Sequence, residues 1–175
     1  MNPKLGIHRT HTQVGFTLIE MLVYTALFAL MVSALVAFMS TLSQSRIRNQ
    51  AVLEVNDQAA QVMRVITQNV RNATSVSSPS IGTSGSSLSV NTVLPATTPT
   101  TFTVSGGTLY ITQGSGGAVA LTNNRVAVSN VLFSNLSRAS TFGTVRVSFT
   151  LRSVSSATQA QYNYSANFYG TGTLR

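Results

Sequence analysis

Between the N-terminus and Glu54 the only acid is Glu20, and it stands at the mouth of an apolar run, Met21 to Met39. An acidic side chain at mid-membrane costs about 2.5–3.5 kcal/mol on insertion scales, so a carboxylate at the entrance of such a segment demands a partner. Residues 1 to 15 form a short polar leader with Lys4 and Arg9, Pro3 and Gly6, which the positive-inside rule keeps on the cytoplasmic side. A secretory signal carries its small-residue cleavage site after the apolar stretch, whereas the small residue available here, Gly15, precedes it. A cut after Gly15 therefore discards the leader and keeps the apolar segment as an anchor. The plain alternative is an uncut signal anchor whose Glu20 sits in the headgroup layer.

The passage Gly15-Phe16-Thr17-Leu18-Ile19-Glu20 resembles the processing motif of the type IV prepilin and pseudopilin family, a Gly followed by Phe with Glu as fifth residue of the mature chain. That resemblance implies a membrane peptidase that cuts after Gly15 and methylates the new amino group of Phe16. It also implies a partner for Glu20: the freed amine, about one helical turn away on the same helix or on a neighbouring subunit. Low dielectric strengthens such a pair, and leaving either charge alone in lipid is strongly unfavourable. Subunits are then driven to dock in register. Two departures from the family stand out. Ala37 lies where many pilins carry a helix-kinking proline, and the chain has no cysteine for the C-terminal disulfide that many members use.

Chemistry of other kinds has few residues to work with. Charged residues make up 8% of the chain, hydrophobic ones 43%, and the formal net charge is +8. His8 and His11 fall in the leader, Glu54 and Asp57 on the helix that follows, and from Gln58 to Arg175 there is no Asp, Glu, His, Lys or Cys. Acid–base, nucleophilic and metal-assisted catalysis thus lack a base, an activated nucleophile and ligands. The expectation is a protein that is not an enzyme and holds no metal or cofactor. Low charge with abundant Ser, Thr, Asn and Gly suits an extracellular surface.

The fold expected is α+β: a long N-terminal helix packed on a C-terminal antiparallel β-sheet. From Phe16 the chain has no proline until Pro79 and no glycine until Gly82, so residues 16 to about 72 can form one helix. Its first part, 16–42, is apolar all round and long enough to span a bilayer. The second, 43–72, is amphipathic: Ile47, Ala51, Val55, Ala59, Val62, Ile66 and Val70 recur at three- and four-residue steps, with Arg46, Arg48, Glu54, Asp57, Arg64 and Arg71 on other faces. Residues 73–87, rich in Ser, Gly and Pro, read as a loop without a packed element.

Over 88–175 the period switches to two. Strands are expected at 88–94, 100–104, 108–112, 118–122, 126–133, 144–151 and 161–168, with a tight turn at Ser105-Gly106-Gly107 and a looser one over Gln113 to Gly117. A meander with one face on the helix follows. The tail from Tyr162 to Tyr169 places its aromatics mostly on one face, with Phe168 off it, as an edge or closing strand. Arg125, Arg138, Arg146, Arg152 and Arg175, with Tyr110, Tyr162, Tyr164 and Tyr169, offer cations and rings to a nucleic-acid backbone, but no base-reading motif accompanies them.

The order of these strands, over about residues 60–152, is similar to the minor pilins and J-type pseudopilins, and the presence of Glu20 argues against the K-type tip pseudopilin, which lacks that carboxylate. The resemblance implies a subunit of a type IV pilus or type II secretion-like filament. Its partners would be the prepilin peptidase, other pilin or pseudopilin subunits, an assembly platform with its ATPase, and membrane lipid. The chain would cross the inner membrane once, with the C-terminal domain outside the cytoplasm, before entering a pilus or pseudopilus at the cell surface. The competing class is a pilin-anchored surface module for DNA uptake or adhesion.

Overall fold

The structure is a computed structural model that describes residues 15–139, 143–154 and 163–175. The leader before Gly15, with Lys4, His8, Arg9 and His11, lies outside them, as do Tyr162 and the expected start of the last strand at Gln161; so does the side chain of Ile47. By contacts the chain divides into two units, Met1–Ser43 and Gln44–Arg175. The architecture is α+β, one long N-terminal helix followed by antiparallel sheets that pack on its second half.

Helix α1 runs Leu18–Arg71, 54 residues. Thr17 caps it: its hydroxyl accepts a hydrogen bond from the Glu20 amide at 3.3 Å, sharing that first-turn amide with the Thr17 carbonyl. Arg71 in the last turn complements the negative end of the helix dipole. In the second unit Val55, Ala59, Val62, Ile66 and Val70 are buried, while Asp57, Arg64 and Arg71 are exposed, so the three- and four-residue spacing marks the face that meets the sheets.

Among the described residues nine strands follow: β1 Ala73–Ser78, β2 Ser84–Gly85, β3 Leu88–Thr92, β4 Thr100–Ser105, β5 Thr108–Gln113, β6 Val119–Ala120, β7 Val126–Asn135, β8 Thr144–Ser153 and β9 Ser165–Thr173. The expected loop over 73–87 is corrected by β1 and β2. β1 is an edge strand whose ladder to β3 runs from Ala73↔Thr92 to Ser78↔Ser89; Ala73 is its one buried residue. Backbone pairing holds it, and backbone pairing leaves no alternation of apolar side chains to read. The single meander is also corrected. The strands divide into two sheets, ordered β1-β3-β4-β5-β6 and β2-β7-β8-β9; the chain visits the second sheet briefly at β2, returns to the first at β3, and passes to the second again between β6 and β7.

From β3 to β6 and from β7 to β9 the neighbours in each sheet are consecutive antiparallel strands, whereas β1 pairs with β3 and β2 with β7. Gly106 and Gly107 have φ of 57° and 77° between the closing pair Ser105↔Thr108; two successive left-handed residues make the primed turn that matches strand twist. The Gly107 carbonyl then accepts the Val128 amide at 2.7 Å, tying this turn to β7. Leu88, Val90, Phe102, Leu109 and Ile111 from the first sheet join Phe133, Val145, Val147, Phe149 and Leu151 from the second and the helix stripe in one core.

Strand β9 is an edge strand of its sheet, as expected, but it spans 165–173 and its facing is the reverse of the expectation for the aromatics. Tyr164, Ala166 and Phe168 pack toward the core, with Phe168 5.7 Å from Phe149, ring centre to ring centre. Tyr169 points out and is 72% exposed. The same parity brings Gly170 and Gly172 under the helix. A β-carbon on Gly170 would run into the Met63 sulfur, and one on Gly172 would stand 3.0 Å from Val70 Cγ1. These glycines let the helix approach the sheet. Gly172→Val should therefore destabilise the fragment Gln44 to Arg175 by about 1–3 kcal/mol, the usual cost of overpacking. Thermal unfolding followed by circular dichroism checks it, with Gly117→Ala as control because nothing lies within 4 Å of that position; equal melting of both variants would remove Gly172 from the helix–sheet contact.

Candidate functional site at the helix N-terminus

The motif residues Phe16, Thr17 and Glu20 come together where α1 begins. Thr17 is the cap, and its carbonyl also accepts the amides of Glu20 at 3.1 Å and Met21 at 3.2 Å. Glu20 is the acid of the first helical turn, where the partial positive charge of the helix end favours a carboxylate. One of its oxygens, Oε1, accepts a hydrogen bond from the Tyr24 hydroxyl at 3.2 Å. The Tyr24 ring in turn meets Phe16 edge-on, centroids 6.4 Å apart and planes at 79°, the geometry favoured by aromatic quadrupoles. Residues 16, 20 and 24 thus share one side of the helix start, a consequence of their four-residue spacing. Gly15 is exposed, with nothing within 4 Å of where a β-carbon would stand.

Downstream, every residue from Met21 to Ser43 is exposed, among them Leu27, Phe28, Leu30, Met31, Val36, Phe38 and Met39. A face of this size without cover is foreign to a water-facing helix. By length and composition the helix can cross a membrane. Its hydroxyls are satisfied from within: Thr25 donates to the Met21 carbonyl at 2.9 Å, Ser33 to Leu30 at 2.8 Å and Ser40 to Ala37 at 2.8 Å. Lipid offers no hydrogen-bond partner of its own, so this back-bonding makes those polar residues tolerable there. No family model, curated protein or solved structure matches the chain.

The second unit holds the remaining candidates apart from one another. Arg146 and Arg152 project from the outer face of β8, on either side of Ser148 and Thr150, and Tyr169 lies on the same outer face through its pairing with Ser148. Tyr110, on β5, belongs to the other sheet. Arg125 pairs with Glu54 at 3.8 Å, and Glu54 also accepts from the Asn123 side-chain Nδ2 at 2.6 Å, so this acid ties the helix to the connection before β7. Among the described residues no three of His, Cys, Asp and Glu come together as metal ligands would. Arg64, Arg71 and Arg175 border an open cavity of about 550 Å³ with Met63 and Thr67.

Tyr24 joins the site from outside the cleavage motif, and Thr17, within it, takes a capping role that the motif did not assign. Each has a signal in the sequence. Thr17-Leu18-Ile19-Glu20 is a Thr-x-x-Glu capping sequence ahead of an apolar run, and Tyr24 lies four residues beyond Glu20, the spacing at which helical side chains meet.

Proposed function

We propose that the chain is a minor pilin or pseudopilin, a structural subunit of a type IV pilus or type II secretion-like filament, cut after Gly15 by a prepilin peptidase and methylated on Phe16. The observation that carries this is Glu20, an acid in the first turn of a helix whose apolar part is exposed from Met21 to Ser43, five residues from the Gly15 bond. A soluble protein has no use for such a charge ahead of such a surface. A subunit that must shed a leader, remain in the membrane and then dock beside other apolar helices does. Arrival from the membrane also fixes all subunits parallel, with the C-terminal unit outside the cytoplasm, so that the apolar halves form a filament core and the sheets its outside. The platform protein, its ATPase and the other subunits supply the assembly. The protein works by binding and packing and performs no catalysis.

The alternative, a surface module on a pilin-type anchor, draws its support from Arg146, Arg152 and Tyr169 on one outward sheet face, in a region without any acid from Gln58 onward. Deleting the gene separates the two: loss of filaments supports the subunit, whereas intact filaments with lost adhesion or DNA uptake support the module. On the subunit account, duplex DNA binds the fragment Gln44 to Arg175 weakly and is released by added salt, because scattered arginines only neutralise phosphates. Binding that survives physiological salt and falls in the Arg146→Ala, Arg152→Ala double variant, measured by fluorescence anisotropy, would favour the module.

A further inference from the structure

We infer that Tyr24 is a positioning residue for Glu20: its hydroxyl holds one carboxylate oxygen, Oε1, and its ring holds Phe16, so that the other oxygen is presented to the amine that Glu20 must find. The inference rests on the filament-subunit function proposed above and names a residue that the cleavage motif does not contain. Three observations converge on it. The hydroxyl donates to Glu20 at 3.2 Å; the ring packs edge-on against Phe16 at 6.4 Å; and no other charged residue lies between Gly15 and Arg46 to serve the carboxylate instead.

The physical need is plain. An ionised carboxylate has acceptor sites on both oxygens, and a helix emerging into lipid leaves it with no water to fill them. Before docking, the amine of a neighbour is absent, so a donor on the same helix lowers the cost of carrying the charge. After docking, the same donor fixes which oxygen stays free and in what direction. Tyr is suited to both tasks because its hydroxyl reaches one helical turn while its ring remains in contact with apolar neighbours. Thr25, the next hydroxyl along, cannot substitute, since it already donates to the Met21 and Leu22 carbonyls at 2.9 and 3.0 Å.

Tyr24→Phe removes the hydroxyl and keeps the ring. The chain contains only two glutamates, Glu20 and Glu54, so full-length protein with Glu54→Gln, labelled with carboxyl-¹³C glutamate, gives an infrared carboxylate band that belongs to Glu20 alone. At fixed pH in detergent micelles, that band should move in Tyr24→Phe, because a hydrogen bond to the carboxylate is lost. In cells, Tyr24→Phe should insert and be cleaved after Gly15 as wild type, yet enter filaments about three- to tenfold less, the range expected for a hydrogen bond between membrane side chains. Tyr24→Leu, which also removes the contact with Phe16, should enter less still. An unmoved band overturns the inference, and so does a moved band with undiminished incorporation. Undiminished incorporation of Glu20→Ala would instead overturn the filament function itself, and the infrared measurement would remain valid without it.

Discussion

Gly15→Val should accumulate in the membrane as a precursor that keeps Met1 to Gly15. The expected loss of processing is nearly complete, because the peptidase must bring the carbonyl of residue 15 into a narrow site and a β-branched side chain both fills that site and stiffens the backbone around it. In this chain the position is exposed, and nothing stands within 4 Å of a β-carbon built on it, so the substitution disturbs no contact of the fold. That makes the variant clean: the C-terminal unit should fold and melt as in wild type, while intact mass shows the leader retained. Normal maturation of Gly15→Val would remove the peptidase from the account. It would leave Glu20 as an interfacial residue of a plain signal anchor.

Glu20→Ala should give the second large effect, at the later step. Insertion becomes easier when the carboxylate is gone, and cleavage after Gly15 should proceed, since the scissile bond and Phe16 are intact. Incorporation into filaments should fall by at least about tenfold, because the Phe16 amine of a neighbour is left without its counter-charge in a medium of low dielectric, a loss of several kcal/mol for a buried pair broken on one side. Glu20→Asp should recover part of it, the shorter side chain reaching less far. The capping bond runs from the residue 20 backbone amide to the Thr17 hydroxyl and survives both substitutions, so helix fraying does not explain a defect. Quantifying the chain in sheared filaments against the membrane fraction reads the effect directly.

How much of this could be read from the sequence differs between the elements. The helix was legible because no proline or glycine interrupts residues 16 to 71 and because the apolar residues from Val55 to Val70 keep one face. The strands β3, β4, β5, β7 and β8 were legible wherever one side of the sheet is buried, as in Val145, Val147, Phe149 and Leu151 set against Arg146, Ser148, Thr150 and Arg152. β1 and β2 were hidden because they bury almost no side chain and are held by the ladder to β3 and β7. The division into two sheets was hidden too, since a hairpin looks the same whether its next neighbour pairs or turns away. In β9 the aromatics misled: Phe168 and Tyr169 are adjacent and equally apolar in the ring, and the deciding residues were Gly170 and Gly172, whose missing side chains admit the helix. At the candidate site, Gly15, Phe16 and Glu20 were singled out by their resemblance to a processing motif, while the contact of Tyr24 with Glu20 needed the helix to bring its hydroxyl back one turn.

The most direct measurement is mass spectrometry of the wild-type chain recovered from sheared, purified filaments. The account predicts that the chain is present there and that its N-terminal peptide begins at Phe16 with one methyl group on the amine, ahead of Thr17-Leu18-Ile19-Glu20. A chain found only in the membrane fraction, or one that still begins at Met1, would contradict it.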